Sequence, residues 1–308
     1  MTEGVTRRSQ RRDQAETDAS APPPPAFPHP VFVGGTGRSG TTVIARLLAQ
    51  HSRYAMIPRE VRFHADGLPD LLSGDRSKRW FVNRLQHYWY FRVVGDGTER
   101  GIWNVVPPPE FEQATRSFSA RFQADPDEAA RRLMRDLFDT FARRLNKPAW
   151  VEMTPTNVEA APTLHTLFPS MRLIHTVRDG RDVACSAPRF AWGPDTVGES
   201  LEWWARLLRR AHEGTSRVPE ESVLVIQFED LVRNRREETY ARLLQFLELP
   251  DERRMRRWFD ANLTEARAHI GRWRSDLEPA ARDELQAMYE RIVGELRAEG
   301  IQVPAPTS

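Results

Sequence analysis

The chain has 308 residues, 40% hydrophobic and 29% charged, and 45 Lys+Arg against 43 Asp+Glu give it a formal net charge of +2. That composition excludes a disordered or fibrous chain, and the balance excludes a protein held to nucleic acid or a membrane surface by bulk charge. A single cysteine, Cys185, excludes an internal disulfide framework and a multi-cysteine metal cluster.

No run of ~18 apolar residues occurs, and charges stand where a signal peptide would be apolar, so a soluble, cytoplasmic protein is expected. Only Lys78 and Lys147 are lysines, leaving 43 arginines. An arginine therefore carries meaning only where its neighbours give it a task.

Residues 1–29 are polar, balance Arg7, Arg8, Arg11 and Arg12 against Glu3, Asp13, Glu16 and Asp18, and end in the run Pro22 to Pro25. Such a segment lacks the apolar surface to fold, and a disordered, electrically neutral tail is expected. From Pro30 the pattern changes to Val31-Phe32-Val33-Gly34-Gly35, then Thr36-Gly37-Arg38-Ser39-Gly40-Thr41-Thr42, then Val43, Ile44, Leu47 and Leu48 at helical spacing. This predicts buried strand, tight loop, helix.

Residues 62–149 show helical periodicity, as in Leu133, Leu137, Phe138 and Phe141, and predict a helical insertion laid on the sheet. Within it, Trp80-Phe81 and His87-Tyr88-Trp89-Tyr90-Phe91 form an aromatic stretch, read either as the core of a helical layer or as the wall of a cleft. Further strands are predicted at Trp150 to Glu152, Met171 to Thr176 and Ser222 to Ile226, and two late helices at 251–263 and 278–299. Apolar strands alternating with helices predict an α/β fold: a three-layer α/β/α arrangement around a central parallel sheet, in one domain over 30–303.

A glycine-rich turn between a buried strand and a helix gathers backbone N–H groups and the positive helix end at one point, which suits a phosphate or sulfate. A nucleotide kinase loop would read Gly-x-x-x-x-Gly-Lys-Ser/Thr. Gly35 and Gly40 have that spacing, but Thr41 stands where the Lys would be, and the loop's cation is instead Arg38. These residues resemble the 5′-phosphosulfate loop of sulfotransferases that use 3′-phosphoadenosine 5′-phosphosulfate (PAPS). The resemblance implies that Arg38 meets the transferring group while Ser39, Gly40, Thr41 and Thr42 hold the 5′-phosphate.

Val177-Arg178-Asp179-Gly180-Arg181-Asp182-Val183-Ala184-Cys185-Ser186 looks like the same family's second cofactor motif, with Arg178 and Ser186 on the 3′-phosphate and Asp182 orienting an arginine. Ala268-His269-Ile270-Gly271-Arg272-Trp273-Arg274 resembles the C-terminal loop that closes over the nucleotide, with Gly271 and Arg272, or else Arg267, near the 3′-phosphate. Trp273 is read either as a core anchor or as a ligand contact.

The segment Ile57 to His64 resembles the family branch whose base is a Glu shortly after the first helix. Glu60 is therefore the expected catalytic base, with His64 as its rival. Trp150-Val151-Glu152-Met153-Thr154-Pro155 is similar to the family's Glu-Lys-Thr-Pro strand end, but Met153 takes the Lys position, which shifts the work on the sulfuryl group to Arg38 and leaves Glu152 without a clear role. The function implied is PAPS-dependent sulfuryl transfer, yielding 3′-phosphoadenosine 5′-phosphate (PAP), without a metal. The expected acceptor is a hydroxyl of a small molecule, carbohydrate or metabolite, and an amine is the second choice. A kinase-like phosphotransferase and a catalytically inactive PAP-binding module are the alternatives.

Overall fold

A computed structural model describes residues 29–95 and 97–303. The expected N-terminal tail lies outside these residues, His29 apart. Among the described residues seven strands form: β1 (Val31–Gly35), β2 (Tyr54–Met56), β3 (Arg92–Val93), β4 (Glu99–Arg100), β5 (Ala149–Glu152), β6 (Arg172–Val177) and β7 (Val223–Gln227). Five of them make one sheet in the order β2-β5-β1-β6-β7, parallel at every pairing.

Alternation sorts the strand side chains between two cores, because successive residues of a strand point to opposite faces. Phe32, Trp150 and Leu173 face one way and pack with the helices of the insertion, including Phe111, Phe118, Leu133, Leu137 and Phe138. Val31, Val33, Val151 and Ile174 face the other way, against Ile44, Leu47 and Leu48 of helix α1 (Thr41–Leu48) and Tyr240, Leu243 and Phe259 further on. The architecture is the expected three-layer α/β/α. A third core, built on Trp204, Leu208, Tyr289 and Ile292, joins the helix Gly180–Ser186 to the helices Val197–Thr215 and Pro279–Ala298.

The insertion contains a short antiparallel hairpin, β3 with β4, where no strand is predicted from sequence. It also contains a widened π-type turn at Leu85–Tyr90 that continues the helix Lys78–Arg84. Among the described residues no helix is long and apolar enough to cross a membrane. No group of three His, Cys, Asp or Glu among them is placed to hold a metal ion.

Candidate functional site

The site lies at the carboxyl ends of the strands, where an open parallel sheet leaves a crevice between neighbouring loops. β1 pairs with β6 out to Gly35 opposite Thr176, so the loop after β1 starts beside the end of β6. Two glycines make that loop possible. A Cβ on Gly35, at φ 151°, would stand 2.2 Å from the Thr176 carbonyl oxygen, and one on Gly40, at φ 99°, 2.7 Å from the Phe228 ring. Arg38 holds φ 69° without being glycine, a strained conformation of the kind that surrounding structure must impose.

Ser39 is fully buried and turned inward. Its N–H and hydroxyl both donate to the Thr36 carbonyl, at 3.2 and 2.6 Å, and its Oγ lies 2.9 Å from Thr176 Oγ1. The Ser39 side chain therefore closes the loop rather than facing outward as the family resemblance implies. Gly40 is the N-cap of α1 and offers no side-chain cap, and the first turn holds no acidic residue. The N–H groups of Thr41 and Thr42 thus keep the unpaired, positive character of a helix start.

The second motif meets the loop directly. Arg38 Nε donates to Ser186 Oγ at 3.1 Å, and Arg178 Nη1 donates to the Arg38 carbonyl at 3.3 Å. Arg178 Nη2 reaches Asp182 Oδ2 (3.4 Å) and the carbonyls of Ala268 (3.0 Å) and His269 (3.1 Å). Asp182 in turn accepts the N–H groups of Gly271 at 2.9 Å and Trp273 at 3.2 Å. Asp182 and Arg178 together fasten the C-terminal loop over the first two motifs.

Trp273 is buried and anchors this loop in the third core, with the Arg181 guanidinium 4.4 Å from its ring. Arg272 is held by Asp276 at 2.7 Å, and Arg267 lies 3.4 Å from Asn262. Three cations nonetheless crowd one another: burial first, then Arg178 and Arg272, push the Arg38 guanidinium below its ordinary value. Arg178 Nε is buried without a hydrogen-bond partner among the described residues.

Glu60 stands on the loop after β2, half-exposed, with Arg62 Nη1 3.3 Å from its carboxylate. Burial against the protein raises its pKa, and Arg62 opposes the rise. His64 is fully buried, with Nε2 3.0 Å from Glu152 Oε2 and 2.8 Å from Asn157 Oδ1. Flanked by two acceptors, that nitrogen carries the proton, so the rival base is a core histidine beyond reach of an acceptor.

Glu152 is also fully buried and accepts from Val61 N–H, Thr154 N–H, Thr154 Oγ1 and Asn157 Nδ2. Burial would raise its pKa, but His64 and the Thr154 donors outweigh burial and hold it at about 2. This carboxylate ties the chain beside Glu60 to the end of β5. Met153 packs into the sheet core, so the position where the family has its Lys is a core position here.

Of the aromatic stretch, Phe81 and Trp89 are core, whereas Trp80, Tyr88 and Tyr90 are half-buried at its edge. Sequence reading missed Phe190, whose ring lies 4.5 Å from the Arg38 guanidinium, and Phe228, which underlies Gly40 and lies 5.4 Å from the Arg178 guanidinium. Their positions, four residues after Ser186 and directly after β7, are the only signal the sequence holds for them.

A family profile described as "Sulfotransferase family" matches residues 30–253. Among solved structures, a sulfotransferase domain from the curacin biosynthetic pathway shares 18% identity, covering 90% of this chain and 99% of that one at a TM-score of 0.53. A sulfotransferase domain from the Synechococcus PCC 7002 olefin synthase shares 19%, covering 91% of this chain and 98% of that one at 0.51. At these identities the two structures establish the shared fold. A search of curated proteins finds no match.

Proposed function

This chain belongs to the sulfotransferase family, and we propose that it transfers a sulfuryl group from PAPS to the hydroxyl of a small-molecule, carbohydrate or metabolite acceptor. The observation that carries this reading is the meeting of two distant motifs in one cationic site: Arg38 donates to Ser186 and Arg178 to the Arg38 carbonyl, 148 and 140 residues apart.

The residues fit a nucleotide with anions at both ends. Thr41 and Thr42 present helix-start N–H groups, and Arg178 Nε is a buried donor without a hydrogen-bond partner among the described residues. Mutual repulsion of Arg38, Arg178 and Arg272 is relieved by any bound polyanion. PAPS, when bound, supplies a sulfuryl group already joined to a good leaving phosphate.

The chain's own residues then have three tasks. Arg38 neutralises charge that gathers on the leaving oxygen, the dominant need in a transfer of this type by analogy with phosphoryl transfer. Arg178, Ser186, Gly271 and Arg272 hold the 3′-phosphate end. Glu60, its pKa raised by burial, removes the acceptor's proton. Thr41 in place of Lys removes the cation that a nucleotide kinase uses, which favours PAPS over ATP. One feature favours a PAP-binding module without chemistry, the apolar Met153 at the Lys position.

Calorimetric titration with PAP and, separately, with ATP and magnesium tests the donor. Binding of PAP well ahead of ATP is expected, and binding of ATP without PAP overturns the reading.

A further inference from the structure

Beyond Glu60, on the insertion, lies a group of cations with no part in holding the nucleotide. Arg84 and Arg92 place their guanidinium carbons 4.1 and 3.9 Å from the centroid of the Tyr88 ring. Both arginines therefore pack against the same phenol ring, which holds their two guanidiniums close together. Arg92 Nη1 donates to the Tyr88 carbonyl, which fixes the fork. Among the described residues no carboxylate lies within ion-pair distance of Arg84 or Arg92.

Among the described residues, the acidic groups bordering the cluster are Glu60 and Asp66, both already held by Arg62 at 3.3 and 2.7 Å, and Glu99, on β4 opposite Val93. Burial, then repulsion from Arg62, Arg100 and Arg84, outweighs the help of Tyr88 and lowers the pKa of Arg92. Arg62, the partner of Glu60, also feels Tyr88 electrostatically, so the cluster begins one side chain away from the expected base. Apolar surface adjoins it: Phe91 and Trp103, each 39% exposed, meet edge to face at 6.1 Å.

Crowded guanidiniums with no paired carboxylate among the described residues suit an anion, and planar forks match a carboxylate or phosphate two oxygens at a time. Resting on the sulfuryl-transfer reading for the fate of the hydroxyl, we propose that the acceptor also carries an oxyanion, a carboxylate or a phosphate monoester, which Arg84 and Arg92 bind beside Tyr88. The acceptor is then held at both ends, its anion on the insertion and its hydroxyl at Glu60. Its apolar middle rests on the Phe91 and Trp103 surface.

The test uses three probes of one length: an ω-hydroxycarboxylate, its ω-hydroxyalkyl phosphate counterpart and the neutral methyl ester. Direct binding to the full chain is measured by calorimetry, and transfer from radiolabelled PAPS is measured separately. At least one anion should bind about tenfold tighter than the ester, and the ratio of carboxylate to phosphate affinity identifies the group.

The double variant Arg84→Gln/Arg92→Gln should erase the preference, and Arg84→Lys/Arg92→Lys should restore part of it. Arg217→Gln, in the exposed turn after the helix Val197–Thr215, should leave it intact. Equal affinity for acid, phosphate and ester, or a preference that survives in the double Gln variant, overturns the proposal whether or not transfer occurs. An intact preference without any transfer from PAPS overturns the sulfuryl-transfer reading and leaves the anion site standing.

Discussion

At the scale of single residues, Arg38 and Arg178 sit within one hydrogen bond of each other yet have separable roles. Arg38 is the exposed cation at the loop tip, while Arg178 is almost fully buried and spends its Nη2 on Asp182 and two carbonyls. Arg38→Ala should therefore reduce turnover far more than PAP affinity. Arg178→Ala should weaken PAP binding by about 1.5–3 kcal/mol, the worth of a charge-assisted hydrogen bond. Steady-state kinetics beside PAP titration separates the two, and equal losses of affinity with unchanged turnover would refute the division. Arg38, Arg178 and Ser186 were legible from sequence because each motif is contiguous. The inward turn of Ser39 was not, since it depends on Thr176 across the strand pairing. The burial of His64 was equally hidden, because Glu152 and Asn157, which surround it, lie about 90 residues away in the chain.

At the scale of elements, the loop at 268–273 is held by Asp182 and Arg178 together, with Trp273 as its core anchor. Asp182 accepts Gly271 and Trp273 and pairs with Arg178, and burial raises its own pKa, so the contacts it makes are few and all used. Removing it leaves two N–H groups without an acceptor and Arg178 without its carboxylate partner, a loss of about 1–3 kcal/mol. Asp182→Ala should weaken PAP binding about tenfold or more and open Arg272 and Arg274 to trypsin in native conditions. Unchanged protection of that loop would show that Arg178 and Trp273 suffice to anchor it.

The predicted strands after β1 correspond to β5, β6 and β7 within a residue or two, since short apolar runs buried on both faces stand out from their surroundings. β2 was missed because three residues, Tyr54 to Met56, carry no period, and only pairing with β5 makes them a strand. The hairpin of β3 and β4 is likewise exposed and too short to show alternation.

At the scale of the molecule, a net charge of +2 conceals two local concentrations of arginine, one at the strand ends and one around Tyr88, offset elsewhere by ion pairs. Burial also makes stability depend on pH in two directions. Glu152, held at about 2 against an ordinary 4.5, contributes stability that is full above 4.5 and is lost as pH falls toward 2. Glu229 is the reverse case. It accepts Asp179 N–H at 3.0 Å while its second oxygen is buried without a partner among the described residues, and burial raises it to about 7. The folded chain then binds a proton that the unfolded chain has released, so stability falls as pH rises from 4.5 to 7. Glu229→Gln should flatten that limb, whose slope from one group is at most about 1.4 kcal/mol per pH unit. Urea unfolding at several pH values measures it, and an unchanged slope would place the titration elsewhere.

The most direct measurement is transfer of label from radiolabelled PAPS to a panel of hydroxyl acceptors, with the native chain and Glu60→Gln side by side. Labelled acceptor is expected with the native chain, and about 100- to 10,000-fold slower labelling with Glu60→Gln, the usual contribution of a general base. No labelled acceptor across the panel despite tight PAP binding, or labelling that is unaffected by Glu60→Gln, would contradict direct sulfuryl transfer with Glu60 as the base.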